Sequence, residues 1–333
     1  MAHANHRLLA TALGALLLSF CFGWSFLAAF HAPAPHEVPV GVVAPTAQAH
    51  ELTAMLDARV PGGLSVQAYA TPAIAREAVA QRVVDGAFIA GVHPVLLVAG
   101  AGGSVTVQFL EKTFGAMTSS SGLTLRISDV VPLPAGDSAG LTLFFLVLSV
   151  LIPSIAIGLA STFAAGGSGV RARVGVLVGG ALAIGAVAAW AADGITGAVP
   201  GHYLALGGIC ALLSLAVSAP SAALTTITPP AAALAVLAFI VAGIPATGGP
   251  AGMAAFMPAF FRDLAPGLPA SRALPALTNA AYFGGNGIVL DLWVLAIWAV
   301  CGLAALALIS QRGHARPAPR PHKPREAAAL GCP

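Results

Sequence analysis

Nine histidines, four cysteines and a run of three serines are the residues of this 333-residue chain whose types could do metal, redox or nucleophilic chemistry. Their spacing argues against all three. His31, His36, His50, His93 and His202 include no pair four apart on a helix with a glutamate, the arrangement that holds zinc and a general base in a metallohydrolase. Cys21, Cys210, Cys301 and Cys332 are too scattered for a paired-cysteine zinc site, and none lies in the polar part of the chain, so that part has no disulfide framework. Ser119, Ser120 and Ser121 lack the Gly-x-Ser-x-Gly elbow that exposes a nucleophile. Lys112 and Lys323 are the only lysines, and neither follows a glycine-rich phosphate loop. The reading is a non-enzyme with no cofactor and no metal.

What remains are a few polar residues in an apolar chain. Arg171 and Arg173 share a short loop without an acid and are candidate contacts for a cytoplasmic partner. Arg262-Asp263 could gate an exit or pair at an interface. Asn279 and Asn286 flank Tyr282-Phe283, which suits interfacial anchoring or substrate contact. Arg262, Asp263, Asn279 and Tyr282 together mark a candidate outer interfacial segment.

The elements that must position these residues follow from composition. The chain is 58% hydrophobic and only 8% charged, against about 25% charged in a typical soluble domain. The apolar residues come in blocks of roughly the 20 residues needed to span a bilayer. The first block, Leu8 to Phe30, is longer than a signal-peptide core and is followed by a poor cleavage site, Ala32-Pro33-Ala34. It reads as an uncleaved anchor, residues 1–30. Five more blocks cover about Gly140–Phe163, Val174–Ala192, Tyr203–Ala219, Pro229–Ile244 and Ile288–Ile309. Pro220, Pro229 and Pro230 leave open whether the fourth and fifth spans are two crossings or one re-entrant hairpin. Residues 245–287 read as short helices at the interface. The five-helix part runs over 140–310, and 311–333 reads as a disordered basic tail.

Residues 31–139 have a different character. Val38–Val43 reads as a strand, with Thr46 capping a helix through Arg59. Leu64–Ala70 alternates as a half-buried strand does. Thr71-Pro72 is a cap and first-turn proline for a helix ending near Arg82. Asp85-Gly86 turns into an Ala87–Ala90 strand, followed by strands at Val95–Ala99 and near Leu123–Val131 with a helix near Val107–Met117 between them. This alternation makes a small sheet flanked by helices. The fold expected is an α-helical membrane protein with six transmembrane helices and an α/β extracytoplasmic domain inserted between helices 1 and 2.

Charge sets the expected orientation. With both termini inside, the inner segments hold eight of the 15 basic residues and one of the 12 acids, a net of +7, and the outside carries −4. This is the positive-inside pattern, with both termini cytoplasmic and the protein multi-pass in the cell membrane. The span interiors hold almost no ionisable residue, and Asp193 and Asp291 sit at outer ends within reach of water. That argues against ion-coupled transport. Gly175, Gly179, Ala181, Gly185 and Ala189 space small residues four apart, which suits either a dimer seam or packing within the bundle.

The layout resembles the permease subunits of type-2 ABC exporters and the related phage-infection-protein group. Ala78–Ile89 is similar to their helix-turn-strand, and Met257–Pro269 with Ala281–Gly285 is similar to the segment before their last span. The resemblance implies a permease-like subunit that exports an apolar or amphipathic molecule with energy from a separate ATPase. It also implies homodimer or heterodimer pairing in the lipid bilayer, and no nucleic acid. The other reading is a non-transporting envelope protein whose extracytoplasmic domain binds a ligand or partner.

Overall fold

The computed structural model describes residues 2–163 and 169–314. The tail beyond His314 and residues 164–168 lie outside those residues; Arg171 and Arg173, expected in a loop, stand instead in the first turn of the helix Val170–Ala189. Six helices among the described residues are long and apolar enough to cross a membrane: Thr11–Phe30, Thr142–Phe163, Val170–Ile195, Tyr203–Ile227, Pro229–Thr247 and Ile288–Gln311. Helix α1 (Ala2–Phe30) comes first, ahead of the α/β unit.

That unit alternates β1 (Val38–Val43), α2 (Thr46–Arg59), β2 (Leu64–Ala68), α3 (Pro72–Ala80), β3 (Gly86–Ile89), β4 (Val95–Val98), α4 (Ser104–Ser120) and β5 (Arg126–Asp129). The strand order is β2-β1-β3-β4-β5, with β3 antiparallel to β4 and the other pairs parallel. Alternating side chains of β1, β3 and β4 fill both faces. Val38, Val40, Val42, Phe88, Leu96 and Val98 meet α2 and α4 on one side. Val43, Ala87 and Leu97 meet α3 on the other. Thr71 accepts a bond from the Ile74 amide and caps α3, as its place before Pro72 suggests. Thr46 does not cap α2. It is the first helical residue, and Pro45 stands in the cap position without a side-chain bond.

The bundle consists of α5 (Thr142–Phe163), α6 (Val170–Ala189) with a π-helical turn at Trp190–Ile195, α7 (Tyr203–Ile227), a fifth crossing that includes α8 (Ala232–Val236), and, after the short α9 (Ala259–Leu264) and α10 (Pro269–Tyr282), α11 (Ile288–His314). Helix α7 is the central post, with 56% of its most apolar window buried against 11% for α1. Its neighbours reach it through small residues. A Cβ on Gly158 would lie 2.5 Å from the Ser218 carbonyl oxygen, and one on Gly185 2.5 Å from that of Gly207. Van der Waals packing at such close approach holds helices together where lipid gives no hydrophobic drive. Of the small-residue series on α6, Gly185 therefore packs within the bundle, while a Cβ on Gly175 or Gly179 would meet nothing.

Two readings of the bundle change. The fourth candidate span does not end at Ala219 but runs through Pro220 to Ile227, and Gly302 of α11 lets the Pro220 ring pack against its backbone. Nor is Asp291 open to water: it is 5% exposed and pairs with Arg272 at 3.1 Å.

The chain between the fifth crossing and α11 reaches back into the α/β unit. Phe256 enters the core under α4, edge-on to Phe109 at 5.4 Å, and Phe283 enters the core under α3. The amides of Ala34 and His36 donate to the carbonyls of Phe256 and Ala255. Gly103 and Gly252, both at positive φ, stack backbone on backbone, where a Cβ on either would come within 2.8 Å of the other's Cα. Residues 31–139 thus fold against 248–287 and share their cores with them.

Candidate functional site

The α/β unit sits at one end of the bundle, the sheet end, and a cavity of about 220 Å³ lies between them. Its walls come from five places: the α3–β3 turn (Arg82, Asp85), the Gly100–Ser104 loop, the approach to and start of α5 (Asp137, Leu143, Phe144), the segment 246–255 (Thr247, Gly249, Pro250, Gly252), and α10 (Ser271, Leu274, Thr278, Tyr282).

Arg82 owes its position to the end of α3. The Arg82 amide donates to the Val79 carbonyl and the Val83 amide to that of Ala78, with Arg82 at φ 59°. This is the double-bonded left-handed helix end at which glycine is the usual residue. A side chain costs about 1 kcal/mol there, so arginine is present for what its guanidinium does. Nη1 donates to Asn279 Oδ1 at 2.6 Å, and the guanidinium lies 5.3 Å from the centre of the Phe283 ring. Burial pushes Arg82 below the ordinary arginine value, with the charges of Asp85 and Asp291 opposing the shift. Asp85, three residues on, precedes β3. Burial pushes its carboxyl above the ordinary range, with Arg82 opposing, and no described residue donates a hydrogen bond to that carboxylate.

Asp137 is buried and fully engaged. It accepts from the amides of Leu141 and Thr142, which open α5, and from the Tyr282 hydroxyl at 3.3 Å. Burial first, and Asp137 second, push the Tyr282 phenol up. Ser271 Oγ is buried without a hydrogen-bond partner.

The sequence candidates are divided by this geometry. Tyr282 lines the cavity, and Asn279 anchors the arginine that does. Both face the α/β unit. Arg262 and Asp263 lie on α9 and do not pair, and Arg262 Nε is buried without a partner. The one ion pair among the described residues is Arg272–Asp291. At the opposite end of the bundle, Arg171 is exposed beside an open hollow of about 430 Å³. Arg173 is 8% exposed and turned inward, where Nη2 donates to the hydroxyls of Thr162 and Thr226 at 2.9 and 2.8 Å.

Sequence reasoning missed Arg82, Asp85, Asp137, Ser271 and Arg272. One local signal was available: an arginine stands where the helix end before Asp85-Gly86 calls for glycine. Among the described residues no three of His, Cys, Asp and Glu converge as metal ligands.

No protein-family model, curated protein or solved structure matches the chain.

Proposed function

We propose that this protein is a permease-like subunit of an ABC-type export system, passing an amphipathic molecule out of the cell with energy from a separate ATPase. The observation that carries the reading is the cavity, roofed by the α/β unit and floored by the bundle, with charged and hydroxylic groups beside Leu143, Phe144 and Leu274. A mixed lining of that kind suits a molecule with a polar head and an apolar body. The basic residues of the inner segments favour a sheet end that faces outside and two cytoplasmic termini in the plasma membrane.

The same cavity disfavours the alternative of a ligand-binding outer domain carried by a passive anchor. Most of its lining lies outside residues 31–139, on the start of α5, the segment 246–265 and α10. Residues 31–139 on their own would also lose Phe256 and Phe283 from their cores. On the cytoplasmic side, Arg171 is an exposed cation for an ATPase to meet, whereas Arg173 is held inside.

The test is affinity purification of the tagged full chain from native membranes in mild detergent, scored for an ATP-binding partner. Wild type should retain one, and Arg171→Glu should lose it while Arg173→Met keeps it. Repeated preparations without an ATP-binding protein would contradict the export reading.

A further inference from the structure

We infer that the cavity at the sheet end binds the ammonium group of an amphipathic amine, with Asp85 as its counter-charge. This rests on the export reading only in naming its cargo, because binding can be measured without transport.

The charged lining residues are Arg82, Asp85 and Asp137. Two are occupied: Arg82 by Asn279 and the Phe283 ring, Asp137 by two backbone amides and Tyr282. Asp85 is not. Its carboxylate is partly withdrawn from water, takes no hydrogen bond from a described residue and has only the field of Arg82 to offset its charge. Withdrawing a carboxylate from water is costly until a donor or cation completes it.

The neutral lining points the same way. Thr278 donates its hydroxyl hydrogen to the Leu274 carbonyl and Thr106 to that of Gly252, so each has only acceptor capacity to spare. Spare acceptors at Thr106 and Thr278, in a cavity that also holds an unpaired carboxylate, fit a cation rich in N–H donors. An anionic head would meet two carboxylates and one cation already committed elsewhere. The volume, about 220 Å³, is many times the roughly 10–15 Å³ that a single water needs, which admits an ammonium head of a few heavy atoms. Leu143, Phe144 and Leu274 offer its chain an apolar surface.

The ammonium could belong to a lipid headgroup or to a free amine. The experiment uses the full chain in nanodiscs of phosphatidylglycerol, titrated calorimetrically with hexylamine and, in parallel, with hexanoate. Hexylamine should bind saturably to wild type and hexanoate should not. Asp85→Asn should bind hexylamine about 10- to 100-fold more weakly, the loss expected for one charge-assisted hydrogen bond. Exposed Glu51→Gln should bind like wild type. Thermal melts keep the result readable, since Asp85→Asn removes a penalised charge and should not lower the melting temperature. Equal binding of hexylamine by Asp85→Asn and wild type, or equal binding of hexanoate and hexylamine, would overturn the proposal. Discs containing phosphatidylethanolamine identify the source: competition with hexylamine assigns the site to a lipid headgroup, and its absence to a free amine. Amine binding without any export defeats the export reading alone, whereas export with no amine binding defeats this assignment alone.

Discussion

The two ends of the helix bundle bury charge in different ways. At the end away from the sheet, Arg173 has hydroxyls for company: Thr162 and Thr226 accept from it, and Thr162 bonds in turn with Thr225. At the sheet end, charges alternate in sign from Asp85 to Arg82 to Asp291 to Arg272, across the α3–β3 turn, α11 and α10. Neutral hydroxyls can solvate a cation without fixing where it sits. Opposite charges on separate elements hold those elements in one register. The far end is therefore joined by hydrogen bonds to neutral hydroxyls, from α6 to α5 and α7, and the sheet end by a chain of opposite charges beside the cavity.

Substitutions should separate the two schemes. The largest effect belongs to Asp291→Ala, which takes the carboxylate at 3.1 Å from Arg272 and leaves it the Pro266 carbonyl. It should cost about 3 kcal/mol, the low end for breaking a buried pair from one side because Arg272 is partly exposed, read from unfolding of the detergent-purified protein. Arg82→Ala should cost about 2–3 kcal/mol for one charge-assisted hydrogen bond and a ring contact. Arg82→Gly should cost about 1 kcal/mol less than the alanine variant, because glycine accepts the positive φ. If glycine and alanine cost the same, the left-handed turn is not what arginine is held against.

Arg173→Met should be the mildest of the arginine changes, at about 1 kcal/mol or less. Thr162 keeps its bond with Thr225 and Thr226 its bond to the Ala222 carbonyl, and replacing a buried ion with an apolar side chain is often neutral. A loss as large as that of Asp291→Ala would erase the contrast between the ends.

The smallest effect concerns pH. The Asp85 carboxyl is raised by burial, so the folded state holds this proton more tightly than the unfolded chain does. Its ionised form therefore subtracts stability above the raised value, and the penalty fades as pH falls, vanishing below the ordinary carboxylate value of about 4. Asp85→Asn should accordingly melt higher than wild type near neutral pH, and the gap should close under acid. A gap that widens under acid would mean that the carboxylate is stabilising.

What was legible in the sequence was local. The bounds of β1 and the start of α3 follow from a short apolar run and from the Thr71-Pro72 cap, both of which act over a few residues, while α2 was found although Thr46 does not cap it. Six apolar stretches gave six candidate crossings for the same reason. The cavity was not legible because its parts are far apart in the chain: Arg82 and Asn279 are separated by 197 positions. Phe256 and Phe283 looked like interfacial aromatics, since no periodicity announces that a segment 100 residues downstream will complete an earlier core. Pro220 looked like a boundary because its tolerance depends on Gly302, which only the packed bundle places beside it.

The central claim is that the two ends of this bundle face opposite sides of a membrane, with the cavity outside. The most direct measurement is maleimide labelling in intact cells of single cysteines placed in a cysteine-free background at Val92, 80% exposed on the α/β unit, and at Arg171. An impermeant reagent should label Val92→Cys at once and Arg171→Cys only after permeabilisation. Labelling of both positions from the same side would contradict the six-crossing arrangement and the export reading built on it.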